Sequence, residues 1–140
     1  MKNTILRSWN KEINAFIYFE DGWFIYGNKK SNINNYGFDW LNAEWYSGLT
    51  DKNGNKIFEG DIIEALINQN STKYIGNHVN SLRYELVVEY HHYAMFTFKN
   101  MTEKRPRSYN FISIEYGHPR LHKDTMEIIG NIHESLTPNK

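Results

Sequence analysis

Apolar and polar residues alternate with period two along several segments, which is the pattern of a strand with one buried face. In Arg83–Tyr90, Tyr84, Leu86, Val88 and Tyr90 share one side and Arg83, Glu85, Val87 and Glu89 the other. Ala94–Lys99 groups Ala94, Phe96 and Phe98, and His91-His92-Tyr93 is the expected hairpin connection between these two strands. Phe111–Tyr116 sets Ile112, Ile114 and Tyr116 against Phe111, Ser113 and Glu115, and Met126–Ile132 places Met126, Ile128 and Ile132 together. Nearer the N-terminus, Thr4–Trp9, Asn14–Phe19 and Trp23–Tyr26 read as three short strands, the last two joined by a turn at Asp21-Gly22.

Asn53-Gly54, inside Asp51–Lys56, predicts a type I′ turn that pairs Ser47–Thr50 with Lys56–Phe58. Two stretches, 27–42 and 68–82, are polar and patternless, so mobile loops are expected there, and 135–140 reads as a frayed tail. Asp61–Ile67 has two readings. Asp61 with Glu64 resembles a helix start followed by the stripe Ile62, Ile63, Leu66 and Ile67, yet the same residues suit a strand apolar on both faces.

Composition sharpens the fold class. Of 140 residues, 22 are Phe, Tyr or Trp and 15 are Ile, whereas Ala and Val together number seven. That balance disfavours helices and favours pleated, half-buried surfaces. The length suits a single domain, 1–140. Sixteen basic residues offset sixteen acidic ones, which argues against coating nucleic acid by bulk charge. There is no cysteine, so disulfides, thiolate metal sites and thiol nucleophiles are excluded. No apolar run approaches a membrane span, and Met1-Lys2-Asn3-Thr4 lacks the apolar stretch of a signal peptide; a soluble, cytoplasmic chain is expected.

The segment Trp45–Ile63, with Gly48-Leu49-Thr50-Asp51-Lys52-Asn53-Gly54 and Ile57-Phe58-Glu59-Gly60-Asp61-Ile62, resembles the signature of the YopX-like family of small bacteriophage and prophage proteins. Met126–Glu134, with Ile129-Gly130-Asn131-Ile132, is similar to that family's closing motif, and Ile5–Asn10 to its usual start. His133 departs from the aromatic common at its position, and 27–42 and 68–82 have no counterpart. The resemblance implies a mainly β fold with a small SH3-like barrel, additional N-terminal strands and few or no helices. It therefore favours the strand reading of Ile62–Ile67, and it implies no enzymatic chemistry.

Candidate chemistry is sparse. Asp51-x-Asn53-x-Asn55 imitates the start of a calcium loop, but Lys56 and Ile62 stand where that loop needs Gly and Glu. His118 and His122 are separated by Pro119, and the adjacent His91 and His92 point apart in extended chain. Glu59 and Asp61 flank Gly60, where a turn accounts for both. No nucleophile motif or phosphate-cradling glycine loop occurs, so no catalytic residue, metal or cofactor is expected.

Two binding surfaces stand out instead. All four tryptophans lie in the first third; Trp9 and Trp23 are expected in the core, which leaves Trp40 and Trp45 as protein-interaction candidates, for a second copy of the chain or a phage or host protein. The alternative is single-stranded nucleic acid, held by Lys99, Lys104, Arg105 and Arg107 with bases stacked on Tyr93, Tyr109 or Tyr116.

Overall fold

Strands dominate the computed structural model, which describes residues 4–68, 81–91, 95–100, 108–110 and 123–134. Eleven β-strands and two single-turn 3-10 helices occur, with no α-helix among the described residues. The chain divides into two compact units, 1–46 and 47–140.

In the first unit β1 (Ile5–Asn10), β2 (Ala15–Glu20), β3 (Trp23–Tyr26) and β4 (Lys29–Ser31) form an antiparallel meander, and β1 also pairs with the first residues of β5 (Glu44–Thr50). The Asp21-Gly22 turn carries positive φ at both residues, 55° and 89°, so the type I′ geometry that splices β2 to β3 is found here. The ladder sets Leu6 opposite Phe19, Ser8 opposite Ile17 and Phe19 opposite Phe24. Leu6, Ile17, Phe24 and Phe38 form the buried core, with Phe19, Tyr26, Tyr36 and Ala43 packed against it. Ring burial gives this small core most of its apolar area.

Arg7 and Glu44 sit on the opposite face, directly across the β1–β5 ladder. The Arg7 Nε–H donates to Glu44 Oε1 at 2.8 Å, both side chains are almost fully buried, and the guanidinium lies 4.0 Å from the Phe16 ring centroid. The 27–42 stretch is not wholly irregular. Gly27 turns the chain so that Lys29–Ser31 can pair with Phe24–Tyr26, a strand that no apolar alternation announces. The following loop is held by side chains: Asn34 Oδ1 accepts the Phe38 N–H at 2.8 Å and Asn34 Nδ2 donates to the Phe38 carbonyl at 2.9 Å.

The second unit contains the end of β5, β6 (Lys56–Phe58) and a five-stranded antiparallel sheet. Its order is β10 (Ser108–Asn110), β9 (Met95–Asn100), β8 (Ser81–His91), β7 (Asp61–Asn68) and β11 (Glu127–Asn131). The described pairings leave the sheets open rather than closed into a barrel. The stretch 61–67 is a strand. It is apolar on both sides, with Ile62 as fully buried as Ile63, Ala65 and Ile67. Leu86, Val88 and Phe98 join Ile63, Ala65, Ile67, Leu49, Ile57 and Met126 in one core, so Tyr84, Leu86 and Val88 share the inner face that their alternation predicts.

Three further expectations change. Asn53-Gly54 does not make a type I′ turn, because only Gly54 has positive φ (83°). Its N–H donates to the Asp51 carbonyl at 3.0 Å and the Asp51 N–H to the Asn55 carbonyl at 2.8 Å, which lengthens the connection by one residue around a left-handed glycine. Ile132 does not share the inner face of Met126 and Ile128. The β11–β7 register shifts between Ile128 and Gly130, so Asn131 is buried and Ile132 is exposed. Trp23 is not a core residue: its neighbour Phe24 takes the core face, and Trp23 remains 42% exposed with Lys30 Nζ 5.2 Å from its ring. Of the predicted connection His91-His92-Tyr93, His91 belongs to β8, and His92 and Tyr93 lie outside the described residues, as do the predicted strand 111–116, His118, His122, most of 68–82 and all of 135–140.

Candidate functional site

Asp39-Trp40-Leu41-Asn42 sets two large apolar side chains, Trp40 and Leu41, side by side on the surface of the first unit. Asp39 caps a single 3-10 turn: Oδ1 accepts the Leu41 N–H at 3.1 Å and Oδ2 accepts from Asn42 Nδ2 at 2.8 Å. The Asn42 bond, with that from Leu41, holds the Asp39 carboxyl below its ordinary pKa. The Asp39 N–H in turn donates to Ser8 Oγ at 3.0 Å, which ties the turn to β1. Trp40 then meets three rings, edge-on to Phe19 and Phe38 at 4.9 and 4.8 Å and to Phe24 at 5.9 Å. It is nevertheless 52% exposed, and Leu41 beside it is 91% exposed. An indole fixed on three sides and open on the fourth loses little freedom when something covers it.

Trp45 is 47% exposed and lies opposite Leu6 in the ladder. The structure thus leaves both Trp40 and Trp45 partly open. The Phe19–Phe24–Phe38 nest under Trp40 was not legible as a site, because it depends on strand register and on how the 32–39 loop folds back.

The basic candidates are brought together less. Lys99 is half-buried on β9, in register with Val87 and Ser108, whereas Tyr109 is in register with Phe98. Lys104, Arg105, Arg107, Tyr93 and Tyr116 lie outside the described residues.

The long motif around Asp51 resolves into a clasp. Asp51 is buried, with Oδ1 accepting the Asn53 and Asn55 N–H groups, each at 2.9 Å, and Oδ2 accepting the Ile128 N–H at 3.1 Å. Burial pushes its pKa up, but those backbone donors outweigh it and hold the carboxyl below its ordinary value. Lys52 adds a second tie through its N–H to the Met126 carbonyl at 2.8 Å, and an exposed ion pair to Glu127 at 3.2 Å that contributes little.

Asp61, also buried, accepts the Phe58 N–H at 2.8 Å and so closes the Glu59-Gly60 turn. Gly60 donates to the Val88 carbonyl and accepts from the Ile132 N–H, both at 2.9 Å. Asn131 Oδ1 accepts from the N–H groups of His133 and Glu134, while its Nδ2 donates to Glu134 Oε1. The two sequence motifs are therefore two halves of one junction. Their polar side chains hold backbone, and the calcium-like Asp51-x-Asn53-x-Asn55 spacing serves a turn.

Fold and site together define a small, mainly β protein whose two motifs hold each other through polar side chains and whose exposed large apolar side chains include Trp40 and Leu41. The family model described as YopX protein matches residues 6–137, and the chain belongs to that family. Comparison with curated proteins gives no match. Among the described residues no helix is long and apolar enough to cross a membrane.

Proposed function

We propose that this protein is a non-enzymatic binding module that attaches to another protein through the surface around Trp40. The partner is a second copy of the chain, or a protein of the phage that encodes it or of that phage's bacterial host, met in the host cytoplasm. The observation that carries the reading is an indole seated on three aromatic rings and half open, next to a leucine that is 91% exposed. Tryptophan on a rigid support is the residue most often found at the energetic centre of a protein interface. The non-enzymatic part is supported by the clasp, where the motif carboxylates of Asp51 and Asp61 are engaged with backbone N–H groups.

Size exclusion with light scattering tests this, on the chain alone and with a bacterial lysate fraction or candidate phage proteins. Leu41→Glu is the clean variant, because Leu41 is almost fully exposed and its loss leaves the fold intact. Assembly that disappears in this variant supports the reading; assembly that survives both Leu41→Glu and Trp40→Ala sinks it. A mixed-sequence single-stranded oligonucleotide in the same run tests the other reading. Salt-sensitive binding that Arg105→Ala with Arg107→Ala abolishes moves the function to nucleic acid.

A further inference from the structure

Asn53-Gly54 is the one Asn-Gly pair in the sequence, and it sits on an exposed turn. Such a pair is chemically labile. The Gly54 nitrogen attacks Asn53 Cγ, the new N–Cγ bond closes a succinimide, and the Cγ–Nδ2 bond breaks. The displaced nitrogen leaves as ammonia, carrying the proton given up by the glycine amide. Water then opens the ring at either carbonyl, giving aspartate or a backbone-lengthened isoaspartate. Asparagine is accordingly among the thermolabile residues.

The attack needs the Gly54 N–H to be free to lose its proton and to swing toward Cγ. In this turn that N–H is bonded to the Asp51 carbonyl at 3.0 Å. The preceding Asn53 N–H and following Asn55 N–H are both held by Asp51 Oδ1. We infer that the Asp51 carboxylate locks residue 53 as an amide in the folded protein, and that Asn53 becomes a modification site whenever the turn opens. The consequence reaches beyond the turn. An isoaspartate adds a backbone atom between the groups that Asp51 holds in register, and the same carboxylate holds Ile128 of β11. Modification at Asn53 therefore loosens the tie between the two motifs.

The test is peptide mapping by mass spectrometry of the full chain after incubation in ¹⁸O-water at mildly alkaline pH, folded and in urea. Folded wild-type protein is expected to convert Asn53 at least about tenfold more slowly than the unfolded chain, since local opening must break several hydrogen bonds at once. Asp51→Ala, which removes both acceptor oxygens, is expected to close most of that gap while still folded. Equal rates for folded and unfolded wild type overturn the inference, and so does a folded Asp51→Ala protein as slow as wild type. Should Asp51→Ala fail to fold, hydrogen exchange of the wild-type Asn53 and Asn55 amides decides: protection of both supports the lock, and exchange at the unprotected rate overturns it.

Discussion

The two units use polar groups in different ways. In the first, a small core of rings is accompanied by one buried ion pair, and the 32–39 loop is held by amide and hydroxyl side chains. In the second, a mostly aliphatic core is closed by carboxylates that bind backbone N–H groups, with residues from three parts of the sequence meeting at Asp51 and Gly60. The difference teaches where tolerance lies. An aromatic core that leaves its edge open has surface to offer a partner, whereas a junction whose donors are matched one by one has none to spare.

Breaking the ion pair gives the largest effect. Glu44→Ala leaves the Arg7 guanidinium buried without its carboxylate and is expected to cost about 3–5 kcal/mol. All four tryptophans lie within residues 1–46, so their fluorescence follows the first unit. A urea midpoint read by that signal checks the value, and an unchanged midpoint removes the ion pair from the account.

Next comes the clasp. Asp51→Ala is expected to cost about 1.5–3 kcal/mol, the range for hydrogen bonds to a charged acceptor. Since the folded carboxyl titrates below its ordinary value, this contribution is complete above the normal carboxylate range and is lost as pH falls through the lowered pKa. The gap between wild type and Asp51→Ala in urea melts should therefore shrink on acidification. A gap that is independent of pH contradicts the charged clasp.

Gly54→Ala is a smaller perturbation of the same turn. A side chain at φ 83° costs about 1–2 kcal/mol, with no loss of the Asp51 bonds to Asn55 and Ile128. Thermal melts check this one. Leu41→Glu closes the series: it should move stability by no more than about 0.5 kcal/mol while removing any assembly. A large loss of stability there would show that Leu41 supports the fold rather than a partner.

Most strands were legible because alternation and burial obey the same period: Tyr84, Leu86 and Val88 turn inward as their spacing predicts. Misreadings arose where a side chain or a register shift intervened. Asn-Gly favours type I′ when the backbone alone decides, but here the Asp51 carboxylate captures the turn N–H groups and imposes a longer loop. The bulge after Ile128 reverses the faces of Asn131 and Ile132, and no local pattern encodes it. Lys29–Ser31 is a strand by virtue of its neighbour alone. Of the candidate site, the exposure of Trp40 and Trp45 was legible in the sequence, but the exposure of Trp23 and the supports of Trp40 were not. Trp40 rests on residues brought together by the pairing of two strands and a folded-back loop.

The span of the clasp also bears on the order in which the protein is made. Arg7 and Glu44 are 37 residues apart, while Asp51 and Ile128 are 77 apart. During synthesis the first unit has its pairing partners once residue 46 has left the ribosome, in keeping with N-terminal parts folding first. The second must wait, with β7 lacking β11 and Asp51 lacking its third donor, until residue 128 and its neighbours have followed. A chain truncated before residue 128 would carry a finished aromatic surface and an unfinished sheet.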